Sequence, residues 1–306
     1  MRSLSGNHWT TNPAGPPRRP AKARNRASRN AAKIPPAGNA GVLLRNNLKC
    51  IGAHMPTLSP ALLLALLEGQ GLGVEYQPIV EVASGNIIGH EALARFRGAD
   101  GRNLPPERVF CALHDSPLSL FQLELKIKKL QILQAPESGL LFLNIDQDAF
   151  ATFLDEACHP LVELLAGHPR AVVEIIENSS ISDAQVSIAM LGRFGSAGIP
   201  MALDDIGARD SLVSLDVLAR VDYLKLARDW LNRLSGPHDR PLLHSLLDFA
   251  RQSGKAVVLE GVETAEHLQL ARRLGIGLVQ GYLFRPRFVQ VWAPPAHRQE
   301  QAGALA

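Results

Sequence analysis

From Pro56 onward, short apolar runs alternate with stretches of helical periodicity. Ser59 is placed to cap a short helix, PALLLALLEGQ, closed by Gly71. VEYQPIVEV then alternates as a strand, SGN makes a turn, and IIGHEALARF returns beside it, so the first pairing is antiparallel. The same pattern predicts helices near 106–114, 118–134, 148–165, 182–198, 239–254 and 264–274. It predicts strands at 140–146, 171–177, 200–205, 222–227, 256–261 and 278–284. GIP at 198–200 and GIG at 275–277 stop helices immediately before strands. Strands alternating with helices imply an α/β protein with a parallel sheet. If that sheet closes into a (β/α)8 barrel, all its strand ends open onto one face.

Polar residues stand at or near the ends of these runs: Glu91, Asn144, Glu174, the pair Asp204–Asp205, Lys225, Glu260 and Gln280. A barrel would converge them into one acidic pocket. Hard divalent cations prefer such oxygen ligands, so Mg2+ or Mn2+ suits the set better than zinc. In a plain strand, neighbouring side chains point to opposite faces. At a strand end the backbone turns, and both aspartates can reach one site. Taken singly, each acid is equally consistent with a solvated cap, and Lys225 with a buried structural salt bridge. Recurrence at successive strand ends argues for a site.

Composition adds an asymmetry. The 306 residues carry a net charge of +3, yet residues 1–54 hold ten Lys/Arg and no Asp or Glu. The remainder holds 22 basic against 29 acidic residues, a net of −7. The basic stretch, rich in Pro, Arg, Asn and Ala, cannot bury enough apolar surface to offset its ordering entropy. Three readings stand: a disordered tail, residue left by a start placed before Met55, or a nucleic-acid or acidic-surface contact arm supported by charge alone. Nucleic acid is not expected, because no aromatic residue interleaves with the arginines after Trp9. The expected organisation is a tail over 1–54, a barrel over 55–295 and a second tail over 296–306. Three cysteines without CxxC spacing suggest neither a disulfide framework nor a thiolate zinc site. No run approaches the ~20 apolar residues of a membrane span, and the first 25 lack a signal-peptide core. A cytoplasmic location is expected.

Eight blocks complete the picture: YQPIV (76–80), EALAR (91–95), LFLNI (141–145), EIIE (174–177), LDDIG (203–207), DYLK (222–225), EGVET (260–264) and QGYLF (280–284). Together they resemble the EAL-domain cyclic di-GMP phosphodiesterases over about residues 72–288. The resemblance implies a modified TIM (β/α)8 barrel with an antiparallel first strand, opening cyclic di-GMP to linear pGpG. It implies two divalent cations, Mg2+ or Mn2+ with Ca2+ inhibitory, on Glu91, Asn144, Glu174, Asp204 and Asp205. Glu260 would be a further ligand or general base, and Lys225 would hold or polarise the attacking water. Arg95 would bind a phosphate, Gln77 and Leu93 would line the nucleotide site, and Gln280 would lie near the water. For Gln77, Leu93 and Arg95, barrel-mouth packing and a surface ion pair remain the alternative. Glu177, Glu263 and Asp222 would support the loop after Asp205, through which the family also forms homodimers.

The chain departs from the family at three places. The loop usually written DDFGTGYSSL reads DDIGARDSLVSL, with Gly207 and Ser211 kept, Ile206 for Phe, and Arg209 and Asp210 for Gly-Tyr. Ala227 stands where Lys-Ile-Asp has its carboxylate, and the usual Gly-Lys-Pro is shortened to Arg285–Pro286. Because every ligand implied by the resemblance is retained, hydrolysis stays the leading expectation despite these departures. A weakly catalytic cyclic di-GMP receptor, or a barrel that binds a protein partner without turnover, are the alternatives.

Overall fold

The computed structural model describes residues 58–176, 181–208, 212–234 and 236–294. The expected tails, Glu177, and Arg209, Asp210 and Ser211 of the altered loop lie outside the described residues.

Helix α1 (Pro60–Leu67) is capped by Ser59, whose Oγ accepts from Leu62 N at 3.2 Å. Strands β1 (Leu72–Glu81) and β2 (Ile87–Arg97) form an antiparallel ribbon with Gln77 opposite Glu91. Six further strands close the barrel: β4 (Leu140–Asn144), β5 (Ala171–Ile176), β6 (Met201–Ile206), β7 (Tyr223–Leu226), β8 (Ala256–Leu259) and β9 (Leu278–Val279). Those six and β2 pair in parallel, in chain order, while β1 closes the ring antiparallel to both β2 and β9. The expected α/β barrel with a reversed first strand is what forms. Two short strands, β3 (Asn103–Leu104) and β10 (Val289–Trp292), extend β2 and β1 outside the ring.

Inside the barrel sits a small apolar plug. Ile79, Phe142, Val172, Ala202 and Val258 are fully buried there, with Ile88, Leu140, Tyr223 and Leu278 against them. A much larger core lies between the sheet and its helices. Because side chains alternate along a strand, the residue two places beyond each plug member faces the same interior, one layer nearer the mouth.

Several boundaries differ from the sequence expectation. The single helix expected over 148–165 is two, α4 (Gln147–Ala151) and α5 (Pro160–Ala166). Pro160 cannot continue a helix from its amino side, and His159 before it is extended, with Nδ1 accepting from Leu161 N at 3.2 Å. The strand expected over 278–284 stops at Val279. Gly281, at φ +154°, turns the chain into a 3-10 helix, Tyr282–Arg287. A Cβ at Gly281 would stand 2.3 Å from Val262 O, so the close approach requires glycine. Short helices α7 (Leu215–Arg220) and α8 (Trp230–Arg233) had no counterpart in the sequence pattern. The remaining helices, α2 (Pro106–Leu113), α3 (Pro117–Leu133), α6 (Ile181–Ser196), α9 (Asp239–Gln252) and α10 (Ala265–Leu274), fall within a few residues of expectation. Among the described residues, no helix is long and apolar enough to cross a membrane.

Candidate active site

The plug positions the site. Two places on from Phe142, Val172, Ala202, Tyr223, Val258 and Leu278 come Asn144, Glu174, Asp204, Lys225, Glu260 and Gln280. On reversed β1, two places back from Ile79, comes Gln77, opposite Glu91 of β2. One pleat therefore carries every strand's polar residue into a single layer above the apolar plug.

Lys225, fully buried, is the centre of that layer. Its Nζ lies 2.6 Å from Glu174, 2.9 Å from Asp204, 2.9 Å from Glu260 and 3.6 Å from Glu91. Three of these contacts are within hydrogen-bonding distance. Burial alone would lower the lysine pKa, but Asp204, Glu174, Glu260 and Glu91 together raise it well above its ordinary value. The ammonium is charged, and it is not short of partners for want of a carboxylate at Ala227.

The carboxylates divide. Burial would raise Glu91, yet Lys225 and hydrogen bonds from Gln280 Nε2 (2.5 Å) and Asn144 Nδ2 (2.9 Å) hold it below its ordinary range. Burial raises Glu174 well above that range, helped by the charge of Glu91 and opposed by Lys225. Burial and then Asp204 raise Glu260 likewise. Asp205, exposed at the mouth on one side, is pushed up to about 6 by partial burial and by Asp204. Burial and like charge oppose ionisation of Glu174 and Glu260, so added positive charge would be favoured in this layer.

The residues present fit divalent cations. Four carboxylates crowd one lysine with Asp205 beside them at the mouth, and Glu174 Oε2 is buried without a donor. Two overlapping triads, Glu91–Glu174–Asp204 and Asp204–Asp205–Glu260, each bring ligand oxygens within 4.8 Å of one another. All the donors are oxygens, the preference of hard cations. Asp204 belongs to both triads.

Asp205 joins the layer by a backbone device. Pairing between β6 and β7 steps from Leu203↔Leu224 to Ile206↔Leu226, one residue more on β6 than on β7. Within this bulge Asp205 takes φ +56°, the one positive φ at a non-glycine among the described residues. Bulges re-aim side chains in this way.

A cavity of about 760 Å3 opens from Glu91, Asn144 and Asp204 and is walled by Leu93, Arg95, Phe110, His114 and Lys128. A smaller one of about 310 Å3 adjoins it over Glu260, Glu263 and Gln280. Arg95 is held by Glu75 at 2.7 Å, and Gln77 Nε2 donates to the same Oε1 at 2.9 Å. Glu75 was missed in the sequence, although it stands on Gln77's face two residues earlier.

The loop-support residues fare differently. Asp222 is placed at the wrong end of the barrel for that role. It precedes β7, and its Oδ2 accepts from Met201 N at 2.9 Å at the amino end of β6. Glu263 is exposed beside the smaller cavity, 3.7 Å from Arg228. Two further residues had no sequence signal: Trp230 Nε1 donates to Ile206 O at 2.7 Å, and Arg233 to Gly207 O at 2.9 Å.

Comparison with known proteins agrees with this geometry. A family model described as EAL domain matches residues 60–287. The chain is 25% identical over 225 residues to the probable cyclic di-GMP phosphodiesterase PdeB of Escherichia coli (strain K12), covering 71% of this chain and 43% of PdeB. It is 29% identical over 219 residues to the cyclic di-GMP phosphodiesterase RocR of Pseudomonas aeruginosa, covering 68% and 55%. It thus spans only about half the length of these relatives. Among solved structures, the Bacillus subtilis YkuI protein, in complex with cyclic di-GMP and calcium, superposes with a TM-score of 0.62 at 25% identity. That match covers 78% of this chain and 59% of YkuI.

Proposed function

This chain belongs to the EAL domain family, and from that membership we propose that it hydrolyses cyclic di-GMP to linear pGpG with two divalent cations, Mg2+ or Mn2+. The observation that carries the reading is the layer of five carboxylates, four of them around one buried lysine, flooring an open cavity, with Glu174 Oε2 lacking any donor. When bound there, the cations neutralise charge on the phosphodiester and acidify a water.

The side chains do the rest. Asn144, Glu91, Glu174, Asp204 and Asp205 would hold the cations, and Glu260 would hold one or take the proton of the attacking water. Lys225 fixes these anions at a set spacing and orients the water. Gln280, bonded to Glu91 and 3.5 Å from Gln77, fixes the Glu91 carboxylate on the β1 side of the layer. Arg95 meets a substrate phosphate with the planar donor fork of its guanidinium, while Gln77 and Leu93 line the nucleotide's path.

The test is to incubate the full chain with cyclic di-GMP and Mg2+ or Mn2+ and follow pGpG by chromatography. Calorimetric binding in Ca2+, where turnover is expected to fail, runs alongside. Metal-dependent pGpG supports the enzyme. Binding without turnover identifies a receptor, and silence in both assays a protein-binding barrel.

Arg95→Ala is expected to raise KM about tenfold with kcat changed less, because the guanidinium serves substrate and transition state alike. Initial rates against cyclic di-GMP concentration check this. A loss confined to kcat would remove Arg95 from ground-state phosphate binding.

A further inference from the structure

We infer that Trp230 and Arg233 are positioning residues that lock the bulge at the end of β6 and so aim Asp205 at the second cation position, a role that rests on the cation reading above. Asp204 reaches the site simply by facing inward from a paired strand. Asp205 does not; it depends on a left-handed backbone at φ +56°. That conformation needs outside support, because the β6–β7 ladder ends at Ile206↔Leu226.

Support comes from α8. Ile206 O accepts from Ala227 N at 3.1 Å and from Trp230 Nε1 at 2.7 Å, and the next carbonyl, Gly207 O, accepts from Arg233 Nη1 at 2.9 Å. Side-chain donors thus take over where the backbone ladder stops. The donors are themselves fixed. Trp230 is 2% exposed, and the guanidinium of Arg233 stacks on its ring at 4.9 Å and pairs with Asp239 at 2.6 Å. Gly207, at φ +85°, lies directly beneath the indole, where a Cβ would come 2.4 Å from Nε1. Phenylalanine would fill most of the same apolar volume. The indole adds a donor, used on the carbonyl that follows Asp205.

Only one triad contains the left-handed residue of the bulge. Glu91 and Glu174 project from regularly paired strands, and Asp204, though inside the bulge on its β7 side, pairs with Ile176 of β5 on the other; Asp205 belongs only to the triad with Asp204 and Glu260. Loosening the clamp should therefore weaken one cation and spare the other.

The experiment titrates Mn2+ into the full chain and into Trp230→Phe and Arg233→Gln, by calorimetry and by loss of free Mn2+ signal, with thermal melting in parallel. Trp292→Phe, on β10 and outside both ligand triads and both cavity linings, controls for loss of a packed indole. Wild type and the control are expected to take up two Mn2+. Trp230→Phe and Arg233→Gln should keep the tighter one and bind the weaker about tenfold or more less well, the scale for residues that orient a ligand. Two unaltered sites in both variants would overturn the clamp, as would equal loss of both sites in step with melting temperature. A wild type that binds no Mn2+ would overturn the cation reading itself, and this inference with it.

Discussion

Asp204→Asn is expected to lower the hydrolysis of cyclic di-GMP by about 100- to 1,000-fold or more, the scale on which removing a group that stabilises developing charge is felt. The same change should leave the barrel as stable as before, or more so. Both halves follow from position. Asp204 belongs to both ligand triads, so its loss removes the one carboxylate that two cations can share. It is also one of four carboxylates around Lys225. Without it the ammonium keeps Glu91 at 3.6 Å, and Glu174 at 2.6 Å and Glu260 at 2.9 Å ionise more readily once the charge of Asp204 is gone, so no buried charge is stranded. What disappears is repulsion between like charges. The rate of pGpG release and a melt in chelator-treated buffer check the two parts together. Undiminished turnover would dismantle the site, and a large fall in melting temperature would make Asp204 a structural counter-ion.

Lys225→Met should do the opposite to stability. The side chain is fully buried and is the sole cation in direct contact with that carboxylate layer among the described residues. Breaking a buried ion pair by removing one partner costs about 3–5 kcal/mol, because the remaining charges lose their compensation in a poorly solvating interior. Protonation of Glu174 and Glu260, already favoured by burial, offsets part of that cost. A divalent cation that binds the folded form and not the unfolded chain stabilises it by mass action. Mn2+ should therefore recover more stability in Lys225→Met than it adds to wild type. Urea unfolding with and without Mn2+ measures this. Equal Mn2+ gains in both proteins would show that lysine and cations do not share the same field. Turnover in the mutant should fall too, since the group that spaces the acids is gone.

Much of the fold was legible because the barrel strands are short apolar runs between helix stops, and sterics leave few ways to arrange such runs. The layer was legible for a sharper reason. Phe142 and Asn144, Val172 and Glu174, Ala202 and Asp204 each sit two apart, so an apolar plug below fixes a polar ring above. What failed were features set by contacts distant in sequence or by single backbone angles. Nothing local in QGYLF marks the turn at Gly281 that ends β9; the approach of Val262 does. DYLK was read as one functional block, yet Asp222 precedes the strand that Lys225 nearly completes. Trp230 and Arg233 left no signature because their partners are carbonyls, which have no residue type. A buried indole nonetheless needs an acceptor, and asking where Trp230 finds one would have pointed to the end of β6.

The reversed first strand has a consequence for how the mouth can be controlled. Every other barrel strand runs toward the carboxylates, so the chain reaches it from the closed end. β1 runs away from them, and the backbone arriving at Leu72 comes in on the open side, where β1 and β2 continue past the ring as a ribbon flanked by β10 and β3. Gln77 and Glu75 lie on that incoming stretch, with Arg95 tethered to Glu75 across the ribbon. A tug on the polypeptide ahead of Leu72 would thus reach the substrate-facing side chains first and the apolar plug last. The input lead is wired to the working end of the barrel.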